Sequence, residues 1–180
     1  MALYGGSFNP PHVAHGLVAA WALSSGLVDE VLVVPAFSHA FGKELAPYEH
    51  RFAMCERAFA WLPAVRLSRI EEELGESRTY RTLVALQSRN PDATYRLLIG
   101  ADILPERHRW FRWDDIEAMA PPLIVGRVGH DSQAPLALPD VSSTELRDRF
   151  ARGEATTGLV HPEVQRYVRK HGLYGASCKS

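Results

Sequence analysis

The chain has 180 residues with 46% apolar and 23% charged side chains, an ordinary globular composition, long enough for one sizeable core and too short for two. A formal net charge of -1 and a pI near 6.7 leave no electrostatic footprint for a nucleic-acid or anionic-membrane partner, so any anion must be held by local arrangement. Cys55 and Cys178 form neither a disulfide framework nor a C-x-x-C pair, and there is no basic-then-apolar leader and no run near the roughly 20 apolar residues of a membrane span; a cytoplasmic location is expected.

In chain order, Ala2–Tyr4 reads as a short strand and Val13–Ser25 as a helix carrying Leu17, Val18, Trp21 and Leu23. Glu30–Val34 is a β-branched run of the kind buried on both faces of a parallel sheet, ended by Pro35. A loop with Ser38, His39, Phe41, Gly42 and Lys43 leads to a helix over Tyr48–Leu62, whose stripe is Phe52, Cys55, Phe59 and Leu62. Val65–Ser68 is a third strand, followed by an acidic segment at Glu71–Glu73. Thr79–Ser88 is a helix, Tyr95–Ile99 a strand stopping at Gly100-Ala101-Asp102, Trp113–Met119 a short helix and Leu123–Gly126 a fifth strand. Gly129–Pro139 is loop-like with one more short strand at Leu136–Leu138, and Ser143–Ala151 and Pro162–His171 are two closing helices. Such alternation predicts one α/β domain over residues 1–180, a Rossmann-like, doubly wound parallel sheet. Ligands bind such sheets outside the carboxyl ends of the strands, here Gly5-Gly6, the Pro35 loop, Gly100–Asp102 and Arg127.

Two constellations carry chemistry. Gly5-Gly6-Ser7-Phe8-Asn9-Pro10-Pro11-His12-Val13-Ala14-His15 joins the first strand to the first helix. Glycines let a backbone approach a bulky anion, free N–H groups at a helix start point at it, and histidines three apart share a helical face. No Lys-Ser/Thr follows the glycines and a third glycine is missing, so the loop is neither a Walker A nor a dinucleotide fingerprint. Alone, the His pair is also compatible with a structural role or a metal pair, but the other six histidines lack ligand spacing, and no resident metal is expected. The second constellation is Val141-Ser142-Ser143-Thr144-Glu145-Leu146-Arg147, a hydroxyl-rich helix start with a guanidinium one turn in. On its own it reads first as an ordinary N-cap with an exposed arginine, although it is also suited to the tail of a nucleoside triphosphate.

Together the two stretches resemble the G-G-T/S-F-D/N-P-x-H-x-G-H and I-S-S-T-x-I-R motifs of the nucleotidyltransferase α/β-phosphodiesterase superfamily. Within it the chain most resembles bacterial nicotinate mononucleotide adenylyltransferases, nearly end to end. Tyr48–Met54 is similar to that family's Y/F-x-H-R-x-x-M helix, Leu98–Asp102 to its I-I-G-A-D strand end with Trp110 following, and Tyr167…Leu173-Tyr174 to its terminal pattern. The resemblance implies an adenylyltransferase of NAD biosynthesis that joins ATP and nicotinate mononucleotide to give deamido-NAD and pyrophosphate. It implies His12, His15 and Arg147 as catalytic residues, and Gly5, Gly6, Ser7, Phe8, Gly100, Asp102, Ser142, Ser143 and Thr144 with them around ATP. Asn9, Lys43, Thr79, Trp110 and Arg127 would serve the acceptor, and Mg²⁺ would travel with the ATP phosphates.

Departures lie mainly on the acceptor side. Arg78 and Arg81 stand where the family has Tyr and Asp in its S-Y-T-x-D-T run, and Phe37–Lys43 replaces its P-P-H-K loop. Ala14 replaces the glycine between the histidines. Nicotinamide mononucleotide or phosphopantetheine as acceptor, and a non-catalytic nucleotide-binding protein on the same fold, are the competing readings; the R-T-x-G-I-S-T-T motif of cytidylyltransferases is absent. The sequence leaves an oligomer open.

Overall fold

The computed structural model describes residues 1–38, 45–127, 137–138 and 141–177. Strands β1 (Ala2–Gly6), β2 (Val31–Pro35), β3 (Val65–Leu67), β4 (Arg96–Gly100), β5 (Pro122–Arg127) and the two-residue edge β6 (Ala137–Leu138) form one parallel sheet in the order β3-β2-β1-β4-β5-β6. The helices are α1 (Val13–Ser24), α2 (Tyr48–Phe59), α3 (Ile70–Leu74), α4 (Thr79–Arg89), α5 (Trp113–Met119), α6 (Ser143–Arg152) and α7 (Pro162–Lys170).

Side chains leave a strand alternately to either face, and the strand residues sort that way. Ala2, Tyr4, Val31, Val33, Leu98, Leu123 and Val125 pack under α1, α2, α6 and α7. Leu3, Leu32, Val34, Leu97 and Ile99 pack under α3, α4 and α5. This is the doubly wound α/β sheet expected from the alternation, with α6 and α7 closing the first face. Among the described residues no helix is long and apolar enough to cross a membrane.

Two segments depart from the expected elements. The acidic stretch after β3 contains α3, whose five residues are too few to show a helical period. The stretch after Gly100 is a 3₁₀ segment, Ala101–Arg109, with Pro105 inside it; proline argues against an α-helix but is tolerated in a tighter, shorter turn.

The strand order reverses between β1 and β4. Their pairing covers only Ala2–Leu3 with Arg96–Leu97, whereas β1 pairs with β2 along all of Ala2–Gly6. The carboxyl halves of β1 and β4 therefore part, which opens the crevice that such a switch point provides for ligands.

Candidate active site

A cavity of about 560 Å³ occupies that crevice. Its floor is the end of β1 and the loop that follows. A Cβ added at Gly5 would meet no protein atom within 4 Å, while one at Gly6 would come within 3.1 Å of the Phe8 ring. A side chain at Gly6 would press on the buried Phe8 ring, whereas Gly5 borders open space in the cavity. Phe8 is 1% exposed with φ 46°, a left-handed conformation that is strained for a side chain with a Cβ. Its ring meets Tyr4, Phe59 and His15 edge-on, so the core contact holds the strained turn.

The carbonyls of this loop are turned into the protein. Gly6 C=O accepts Ala36 N–H at 2.8 Å, and Ser7 C=O accepts Arg51 Nη1 at 3.0 Å. Asn9 C=O accepts Arg147 Nη1 and Pro10 C=O accepts the Ser143 hydroxyl, both at 2.9 Å. The loop thus reaches the start of α1 with its acceptors engaged.

His12 is the N-cap of α1 and His15 its third residue. His15 Nδ1 accepts the His12 backbone N–H at 3.0 Å, which leaves the proton of the neutral ring on Nε2 as a donor. The two imidazoles lie 3.7 Å apart and 31° from parallel, and the Phe8 ring meets His15 at 4.9 Å. Both histidines line the cavity. The first turn of α1 carries no acidic residue, and of its N–H groups that of Val13 donates to Leu159 C=O at 2.9 Å; the positive end of the helix dipole faces the cavity side of the loop.

The α6 N-terminus arrives at the same place. The Ser142 hydroxyl accepts Glu145 N–H at 3.1 Å as the N-cap, and Ser143 is tied to Pro10. Arg147 bridges Asn9 C=O and, at 3.2 Å, the Thr144 hydroxyl. The N-cap reading and the anion-cradle reading of this segment are therefore compatible: Ser142 caps and can still donate its hydroxyl hydrogen, while Arg147 is half-buried at the cavity wall.

At the far end the cavity runs between Ala36 and Ser38 after β2, Ser77 and Thr79 at the start of α4, and Trp110. Trp110 stands perpendicular to buried Trp113, with centroids 5.8 Å apart. The α4 start has no side-chain cap and no acidic residue in its first turn. Arg78 and Arg81 pair with Glu76 at 3.4 and 3.8 Å, and Arg78 also lies over the Phe111 ring; both lie more than half exposed, outside the cavity lining.

Of the residues singled out from the sequence, Gly5–Asn9, His12, His15, Thr79, Gly100, Trp110, Ser142–Thr144 and Arg147 line this one cavity. Lys43 lies outside the described residues, as do the side chains of Asp102 and Arg127; their backbones open the 3₁₀ segment and end β5. Asn9, expected beside the acceptor, is 3% exposed, and its Oδ1 accepts both Ala46 N–H at 3.1 Å and the Tyr174 hydroxyl at 2.8 Å. Burial pushes the Tyr174 phenol up, so it remains a donor. Phe8 contributes backbone to the cavity and its ring to the core.

Three supporting residues escaped the sequence reading. Arg51, 1% exposed, donates to Ala46, Ser7 and Phe37 carbonyls, and burial lowers its pKa. Glu71 lines the cavity, and Tyr174 anchors Asn9. Arg51 and Tyr174 stood inside recognised motifs without a role, whereas nothing distinguishes Glu71 from Glu72 and Glu73 in the sequence.

The cytidylyltransferase-like family model matches residues 3–149. A protein of Anaeromyxobacter sp. (strain K) named "probable nicotinate-nucleotide adenylyltransferase" is 49% identical over 97% of this chain and 96% of its own length. A protein of the same name from Myxococcus xanthus is 43% identical over 97% and 94%. Among solved structures, Plasmodium falciparum nicotinic acid mononucleotide adenylyltransferase complexed with NaAD has a TM-score of 0.84 at 20% identity, covering 99% of this chain and 98% of that one; that likeness speaks to the fold. The chain belongs to the nicotinate-nucleotide adenylyltransferase family, within the cytidylyltransferase-like proteins.

Proposed function

We propose that the protein transfers the adenylyl group of ATP to the 5′-phosphate of nicotinate mononucleotide, giving deamido-NAD and pyrophosphate in NAD biosynthesis. The observation that carries this reading is the convergence of the α1 and α6 N-termini on one cavity, clasped by Ser143 to Pro10 and Arg147 to Asn9. The names of the relatives and the NaAD complex of the Plasmodium protein support the same chemistry.

The attacking phosphate is already an anion, so no general base is required. The work is to hold two anions in line and to stabilise charge that spreads as the α-phosphorus is attacked. His15 Nε2–H and the His12 ring serve the reacting phosphate, with the α1 N-terminus behind them. Thr144, Arg147 and the α6 N-terminus receive the departing pyrophosphate. Gly100 and Asp102 lie on the ATP ribose side. Among the described residues no three His, Cys, Asp or Glu side chains gather as a metal cage, and in this proposal Mg²⁺ enters bound to the triphosphate as part of the substrate.

At the acceptor end Trp110 stacks on the pyridine ring, and the uncapped start of α4 beside Thr79 favours a carboxylate over a neutral amide. Nicotinate mononucleotide is therefore preferred to nicotinamide mononucleotide. The test is pyrophosphate release from ATP with nicotinate mononucleotide, nicotinamide mononucleotide or phosphopantetheine supplied separately. The highest kcat/KM is expected with the nicotinate form; preference for phosphopantetheine, or no release with any acceptor, refutes the reading.

A further inference from the structure

Glu71 sits in the wall of the acceptor end, 7% exposed. Its neighbours on α3 face solvent partners: Glu72 pairs with Arg69 at 2.9 Å and Glu73 with Arg89 at 2.7 Å. Glu71 instead turns inward and takes three donors. Oε2 accepts Phe37 N–H at 3.2 Å, Oε1 accepts the Thr82 hydroxyl at 3.3 Å, and the Ser77 side chain donates as well. Ser77 Oγ in turn accepts Ser38 N–H at 2.9 Å. The two oxygens of one carboxyl group serve these donors together, whereas an amide offers a single acceptor oxygen.

The elements joined here are neighbours in one wall of the acceptor end, with Ser38 N–H at 2.9 Å from Ser77 Oγ: the loop after β2 at Phe37–Ser38, and the start of α4 at Ser77–Thr82. The Phe37 peptide is held from both sides, since its C=O accepts Arg51 Nη2 at 3.4 Å while its N–H meets Glu71. Arg51 also holds Ser7 C=O in the phosphate loop. A line of contacts thus runs from the glycine loop through Arg51 and the Phe37 peptide to Glu71 and α4.

We propose that Glu71 is a positioning residue for the acceptor nucleotide, holding the Phe37–Ser38 loop against the α4 start so that the two form one fixed wall for the pyridine nucleotide. It touches no reacting atom and acts through the segments it joins. The inference rests on that end of the cavity being the acceptor site. Removing the carboxylate frees the loop on one side of the pocket, while the ATP side keeps its own anchors at Asn9, Pro10 and Arg51.

The experiment compares Glu71→Ala, Glu71→Gln and, as a control on the same helix, Glu73→Gln, measuring pyrophosphate release against ATP and nicotinate mononucleotide concentrations in turn. Glu71→Ala is expected to raise the acceptor KM about tenfold or more, the scale of losing buried hydrogen bonds, with the ATP KM within about twofold. Glu71→Gln keeps an oxygen for Phe37 N–H, and the Thr82 and Ser77 hydroxyls can turn to accept its amide, so it recovers part of the loss. Glu73→Gln behaves as wild type. An unchanged acceptor KM, or an equal rise in both KM values, overturns the proposal. If Glu71→Ala does not fold, Glu71→Gln is judged by the same two criteria. A wild-type protein that uses neither pyridine nucleotide refutes the functional reading first, before any variant is read, and this inference falls with it.

Discussion

The two roles of His15 can be separated by substitution, because each ring nitrogen does one thing. Nδ1 accepts the His12 N–H at 3.0 Å and so closes the first turn of α1; in the proposed mechanism Nε2 is the donor to the reacting phosphate. Asparagine places an oxygen near the Nδ1 position and nothing at Nε2, glutamine reaches the Nε2 position and abandons the cap, and alanine loses both. Loss of one donor aimed at developing charge costs about 2.7–4 kcal/mol, or roughly 10²–10³ in kcat. Loss of the cap costs about 1 kcal/mol, a Tm shift of roughly 2–4 °C for a chain of this size. His15→Asn should therefore melt near wild type and turn over about a hundredfold or more slowly. His15→Ala should lose turnover and a few degrees together, and His15→Gln should lose the degrees while keeping part of the rate. The assays are pyrophosphate release at saturating substrates and calorimetric Tm. Near-normal turnover in His15→Asn refutes the assignment, since the cap alone would then explain the residue.

Trp110→Ala should raise the KM for the pyridine nucleotide more than that for ATP in initial-rate measurements; an equal effect on both places Trp110 outside the acceptor pocket. Tyr174→Phe removes the 2.8 Å bond to Asn9 Oδ1 but leaves Ala46 N–H in place, so denaturant unfolding should show a loss of about 1 kcal/mol; no loss would mean the bond is not formed. Burial raises the Glu71 carboxyl above its usual value of 4.5, so the native state binds this proton more tightly than the unfolded chain. Its contribution to stability is fully present below pH 4.5 and is lost as pH rises through the native value. The Tm of wild type minus that of Glu71→Gln should accordingly fall as pH rises above 4.5; a difference that grows with pH contradicts the burial argument.

Much of this molecule was legible before the structure. The β-branched runs and alternating helices specified the doubly wound sheet, and the Gly5–His15 and Ser142–Arg147 stretches were set apart by residue types suited to an anion. Their meeting was not legible from either alone, because it depends on the Ser143–Pro10 and Arg147–Asn9 bonds between segments more than 130 residues apart in sequence. Asn9 illustrates the limit. It lines the cavity as its place in the motif suggested, but the bonds of its side-chain oxygen to Ala46 and Tyr174 were not readable from that place. Glu71 shows the converse: three successive glutamates look alike as letters, and only the geometry of α3 decides which one turns inward. Both depend on tertiary contacts that no local period encodes.

The central claim is tested most directly by incubating the wild-type protein with Mg²⁺, ATP and nicotinate mononucleotide and measuring dinucleotide and pyrophosphate in the same sample. The account predicts deamido-NAD and pyrophosphate formed in equal amounts, with no product when the acceptor is omitted. ATP consumption without dinucleotide, or no consumption at all, would contradict it.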